Sequence, residues 1–223
     1  LAACGFTLCK GNIMAGNPDL CLSRAEWARR FAAFIREATP ENLLASSIYF
    51  DLRVVWGDEQ GCQQLRRGIL EQVADNRLFQ RMMADNALRH RPPVGRFREF
   101  VLERKGSDKA TLDLKVQGLT PFVDGARLLA LAHGIEANNT LERLRQLVVL
   151  EVIEPLDGAA YEEAYHFIQQ TRMQQHQLQT RENRPYSNRV DPDHLNQLDR
   201  RILREALRQA QRLQSSLALR YQL

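Results

Sequence analysis

Leu195, Leu198, Ile202, Ala206, Ala210, Leu213, Leu217 and Tyr221 recur at intervals of three or four along the last stretch of the chain. That period gathers them on one face of an α-helix, whereas a strand would scatter them over both faces. The stretch is therefore predicted to be a long helix, opened by Asp191-Pro192, with one apolar stripe to cover. Other helices are the natural cover, so the feature points to a mainly α fold, an antiparallel helical bundle.

Start signals upstream agree. Ser23-Arg24-Ala25-Glu26 has the spacing of a capping box, and Trp27, Phe31, Phe34 and Ile35 follow at helical intervals. Thr39-Pro40 opens a second helix carrying Leu44, Ile48, Leu52 and Val55, with Gly57 as its stop. Asp58 caps a third helical stretch that runs, with room for a break, to about Arg91 before Pro92-Pro93. Thr120-Pro121 starts a helix to about His133, Asn139 with Glu142 starts another, and a long one spans about 159–181. The polar segment 182–189 reads as a loop.

One region breaks the helical period. Leu112, Leu114 and Val116 alternate with Thr111, Asp113 and Lys115, and the segment 97–103 is rich in Phe, Val and Leu. A two-residue period means strand, so a small β-hairpin insertion is predicted over about 97–117.

Composition narrows the class. The 223 residues are 44% hydrophobic and 26% charged, with no apolar run long enough to cross a membrane and no visible signal peptide. The net charge of +4, from 31 basic and 27 acidic residues, is too mild to suggest nucleic acid as a partner. Cys4, Cys9, Cys21 and Cys62 lack paired C-x-x-C spacing, so they read as reduced cytoplasmic thiols, several of them buried, rather than a metal site.

Several polar residues stand out. Asp51 lies three residues after Ile48 and four before Val55, on the apolar stripe of the second helix. A buried carboxylate there needs a partner. With Arg53 and Asp58 close in sequence, it is either in a structural ion pair or cap contact or, with Arg53, part of a cleft that meets a nucleotide or another domain. Lys115, Gly118 and Thr120 resemble a lysine beside a helix N-terminus, a weak anion-site signal, with Asp124 and Arg127 three apart on the helix that follows. His176, Arg172 and the ridge Arg204, Arg208, Arg212 are more simply bundle and surface residues. The chain has no G-x-x-x-x-G-K-[ST] loop, no G-x-S-x-G elbow and no H-E-x-x-H pair.

Taken in order, CKGNIMAGNP, FDLRVVWGD, PPVGRF, LDLKVQGLTPFVDGARLLAL, NNTLERL and RMQQHQL with SNRVDPDHLNQLDRRIL resemble one family along nearly the whole chain. It is the nucleotidyltransferase substrate-binding domain at the C-terminal end of bacterial proteins with cyclic-nucleotide-binding and CBS modules, related to the uridylyltransferases that modify the PII signalling protein. The resemblance implies that residues 1–22 end a nucleotidyltransferase domain, that 23–223 form a helical substrate-binding domain, and that the catalytic half lies upstream.

In such enzymes a Gly-Ser loop holds the triphosphate and two aspartates hold magnesium. Here Gly106-Ser107 leads to no aspartate pair, Asn12 supplies no third carboxylate, and Leu20 stands where an aromatic is expected. The chain alone is thus expected to be inactive and to carry no cofactor, with magnesium and a nucleoside triphosphate implied for the longer protein. Ile13-Met14-Ala15 is read as a short buried strand at the seam. Asn17, Asp51, Arg53, Lys115, Asp124 and Arg127 are the substrate-binding candidates carried over by position. The partners implied are the upstream nucleotidyltransferase domain, a protein acceptor and a second copy, with no membrane and no nucleic acid. The alternative is a non-catalytic helical interaction or dimerisation module.

Overall fold

Local capping chemistry sets most helix starts. In the computed structural model, which describes residues 2–7, 9–14, 16–95, 100–101 and 111–223, the Ser23 hydroxyl accepts from Glu26 N–H at 3.3 Å. The Glu26 carboxylate accepts from Ser23 N–H at 2.8 Å, which completes the box that opens α1 (Arg24–Arg36). Thr39 caps α2 (Pro40–Tyr49), Asp58 caps α3 (Glu59–Asp75) and Asn76 caps α4 (Arg77–Ala87). The break expected in the third stretch is Asn76 itself, which ends α3 and caps α4 while its amide donates to Ile35 O at 3.2 Å. After α5 (Thr120–Ala132), Asn139 caps α6 (Thr140–Val149) as its spacing predicts, and α7 (Pro155–Arg181) and α8 (Gln197–Tyr221) complete the order. Gly134, at φ +70°, provides the left-handed turn out of α5.

The fold is mainly α with, among the described residues, a two-strand antiparallel sheet of β1 (Leu112–Asp113) and β2 (Arg189–Val190). β1 finds its partner in the polar loop before α8, with Leu112 opposite Val190 and Asp113 opposite Arg189. The alternation around 111–116 is not one strand. Asp113 Oδ1 accepts the N–H groups of Lys115 and Val116, both at 2.9 Å, and so starts a π-helical turn, Leu114–Leu119, that runs on into α5. Thr120 consequently sits inside a continuous helical run and is not its cap. Most of 97–103, the other proposed strand, lies outside the described residues; Phe100 forms an isolated bridge with Val94.

Two other expectations change. α2 ends at Tyr49, and its covered residues are Leu43 and Ser46 with Phe50 just after it. Leu44 is 61% exposed and Val55 91%, so most of the predicted stripe faces outward, while Leu52 packs against the core. The segment offers two helical registers, and the aromatic one wins: Tyr49 and Phe50 pack into a cluster with Trp27, Phe31, Phe34 and Phe79. In α8 the stripe holds from Ala206 to Tyr221, but Leu203 and Leu207 replace Leu198 and Ile202, which face outward. Asp191-Pro192 opens only the 3-10 turn Pro192–His194, and Asn196 caps α8.

The larger core lies among α5, α7 and α8. Ion pairing of Asp157 with Arg212 at 2.8 Å, together with contact of Gly118 with both Ile168 and Leu207, sets α7 antiparallel to α8. A Cβ at Gly118 would lie 3.0 Å from Ile168 Cγ2, so a side chain here would press on Ile168 where the turn meets α7. Phe122, Leu128, Ile168, Leu203 and Leu207 are fully buried there.

The first 22 residues contrast with this. None of the described ones is buried; Ile13 and Met14 are in no strand, and Ala15 lies outside the described residues. Ile13 and Met14 thus form no strand and are not buried, contrary to the seam strand expected there. The cysteines are free; Cys4, Cys9 and Cys21 are exposed and Cys62 half-buried, which corrects the expectation of buried thiols.

Candidate functional site

Asp51, Asp124 and Arg127 come together, although helices far apart in sequence supply them. Asp51 follows α2, and Asp124 and Arg127 sit one turn apart on α5. Arg127 donates to Asp51 Oδ2 through Nη2 at 2.8 Å and Nε at 3.2 Å, and to Asp124 Oδ1 through Nη1 at 2.9 Å. A fourth member, Arg143 of α6, holds Asp51 Oδ1 through Nη2 and donates from Nε to Ala137 O at 2.7 Å. The Arg143 side chain is only 3% exposed and that of Arg127 10%.

The two carboxylates respond oppositely to one environment. Burial works to raise the Asp51 pKa, but hydrogen bonds and charge from Arg127 and Arg143 outweigh it and hold the carboxyl below its ordinary value. For Asp124 burial wins over Arg127 and His90, the Asp51 charge adds to it, and the carboxyl is pushed up. Burial likewise draws the Arg143 guanidinium down against the pull of Asp51.

Leu52 O, next in the chain, accepts from Arg66 of α3 and from Asn138 at 2.9 Å. The network therefore clamps the connection after α2 onto α3, α5 and the α5–α6 link. Both Asp51 oxygens are engaged by arginine, so its chemistry is that of a fixed anion, not of a base. Arg53 and Asp58, its neighbours in sequence, are not its partners.

The remaining candidates lie apart. Asn17 caps the 3-10 turn Pro18–Leu20, accepting from Asp19 N–H at 2.9 Å and donating to Asn12 O at 3.0 Å. Arg53 is exposed on the connection after α2, and Lys115 is exposed in the π-helical turn rather than on a strand. Sequence reading missed Arg143. Its signal was present, since Thr140, Leu144 and Leu147 put Arg143 on the covered face of α6, whereas the stripe on which Asp51 was placed does not form.

Residues 77–221 match the family model described as "Putative nucleotidyltransferase substrate binding domain". The chain belongs to this family. Residues 1–41 match a second model, "Putative nucleotidyltransferase DUF294", so nucleotidyltransferase sequence and the substrate-binding domain are joined in one chain. No curated protein and no solved structure matches it. Of the network, Asp124, Arg127 and Arg143 fall within the matched substrate-binding segment, and Asp51 falls between the two matches. No described helix of this substrate-binding chain is long and apolar enough to cross a membrane.

Proposed function

We propose that this chain is the accessory, substrate-binding part of a uridylyltransferase-like nucleotidyltransferase in signal transduction, working with a catalytic domain upstream in the same protein. The observation that carries the reading is the order of the two family matches, nucleotidyltransferase at 1–41 and substrate-binding domain at 77–221. Here the Asp51 network supports function indirectly. It fixes the connection between the two matched segments so that an acceptor and a nucleotide meet a rigid surface. A nucleoside triphosphate with magnesium is the expected co-substrate. This chain's side chains do not fit the metal, because no three His, Cys, Asp or Glu converge among the described residues, and Asp51 and Asp124 are held by arginine. Its residues then bind and orient, and the transfer chemistry falls to the upstream domain.

Titration with UTP and the other nucleoside triphosphates, of this chain and of a longer protein with the preceding nucleotidyltransferase sequence, tests the reading. Binding or nucleotidyl transfer in the longer protein supports it. Neither in either protein, with helical circular dichroism intact, rejects it. A second reading, a docking or dimerisation module, is favoured by Val55 and Trp56, 91% and 95% exposed on the clamped connection. Light scattering on the parent and on Trp56→Ser distinguishes a self-associating chain from a monomer.

A further inference from the structure

Arg89, His90 and Arg91, just past the end of α4, and Arg189 on β2 face one cavity of about 330 Å³ together with Asp113 and Gln117. Among the described lining residues, three guanidinium groups and an imidazole thus stand beside one carboxylate, Asp113. That carboxylate is already committed, since Asp113 Oδ1 takes the N–H groups of Lys115 and Val116 at 2.9 Å. Arg189 stands directly opposite Asp113 across the strands yet makes no ion pair with it. Arg89 approaches only Asp85, at 3.6 Å on the surface, and Arg91 makes no ion pair among the described residues. Gln117 uses its oxygen to accept from Asp113 N–H at 2.8 Å, and its amide NH₂ has no partner among the described residues.

Like charges gathered on one cavity repel one another unless an anion is present. The buried arginines Arg127 and Arg143, by contrast, are bound by carboxylates. Guanidinium groups match the paired oxygens of a phosphoryl group and hold them by charge-assisted hydrogen bonds. In a second basic cavity, among α3, α4, α5 and α8, one arginine has a structural role that Arg91 and Arg189 lack. There Arg220 sits in the last turn of α8 and donates to Val152 O at 3.0 Å. All six residues named at the first cavity lie within the segment that matches the substrate-binding family.

We propose that this cavity binds the phosphoryl group of the domain's ligand, with Arg91 and Arg189 as the principal contacts and Gln117 donating a neutral hydrogen bond. The assignment rests on the substrate-binding reading above and names the ligand class: a phosphorylated molecule, either the nucleotide itself or a phosphorylated acceptor.

Isothermal titration of the 223-residue chain with inorganic pyrophosphate at low ionic strength is the test. Binding is expected, weakening at least tenfold in Arg91→Gln and in Arg189→Gln, beyond detection in the double variant, and less in Arg189→Lys. Arg77→Gln, in the second cavity, should bind as the parent does. Parallel titrations with UTP and with ribose 5-phosphate separate the sources: tighter UTP assigns the site to the nucleotide, tighter ribose 5-phosphate to an acceptor. The proposal is overturned by no pyrophosphate binding to the folded parent, by affinity in the double variant within twofold of the parent, or by an equal loss in Arg77→Gln. If pyrophosphate fails to bind while the longer protein transfers nucleotide, this site is wrong and the functional reading stands. Pyrophosphate binding that follows these variants, with no nucleotide bound or transferred by the longer protein, keeps the site and rejects the functional reading.

Discussion

Arg127 and Arg143 spend their charge inside the protein, whereas Arg91 and Arg189 keep theirs facing a cavity. The first pair is buried against Asp51, and neither guanidinium can meet a ligand without breaking the clamp after α2. The second pair has no carboxylate partner among the described residues and lies where strand pairing and the end of α4 deliver it. Charge alone does not mark a binding residue; whether the fold has already answered that charge does. The contrast explains why a position-by-position carry-over favours Asp51 and Arg127, which are conspicuous, and overlooks arginines that look like ordinary surface.

The sharpest way to break the comparison is Asp51→Ala. It leaves two buried guanidinium groups without their shared anion, so unfolding in urea should show a loss of about 3–5 kcal/mol. A loss below about 1 kcal/mol would mean the network does not hold the connection. Next in size is Asn76→Ala, which removes the α4 cap and the tie to Ile35 O. Roughly 1–2 kcal/mol should disappear from the same measurement, with Arg91 and Arg189 still functional.

Acid sharpens the contrast within the network. The Asp51 pKa is lowered, so its stabilising contribution is complete above the ordinary carboxylate value and is lost as pH falls through its lower, folded value. The gap in unfolding free energy between the parent and Asp51→Asn should therefore close as pH drops below about 4. Asp124, raised by burial, has the opposite sign: its contribution is complete below the ordinary value and lost as pH rises through the folded one. Asp124→Asn should consequently cost less at pH 6 than Asp51→Asn does, and equal or greater costs would reverse the assignment. The smallest effect belongs to the other side of the comparison. Arg91→Gln and Arg189→Gln should each leave stability within about 0.5 kcal/mol of the parent, as expected of side chains with no ion-pair partner among the described residues.

Legibility in the sequence followed the range of the forces involved. Ser23 with Glu26, Thr39, Asp58 and Asn139 could be read correctly because a cap is a contact over three residues. Asp113 misled, since Leu112 and Leu114 alternate around it like strand residues while its carboxylate starts a helical turn. The partner of β1 was hidden in a loop about as polar as any other, and a two-residue strand has no period to detect. α2 offered two helical registers, and only the distant aromatics Phe31 and Phe79 decide between them. At the site, Asp51 was recognisable as a carboxylate needing a partner. Its partners, however, lie 76 and 92 residues away, beyond any local pattern.

Asp51 also has a bearing on where this domain begins. The substrate-binding match starts at Arg77, one residue after the cap of α4 and well after Asp51. A polypeptide cut at that border would leave Arg143 buried without its carboxylate and Arg127 with Asp124 alone, and would start a helix without its cap. The border drawn by resemblance is therefore not a border of folding autonomy.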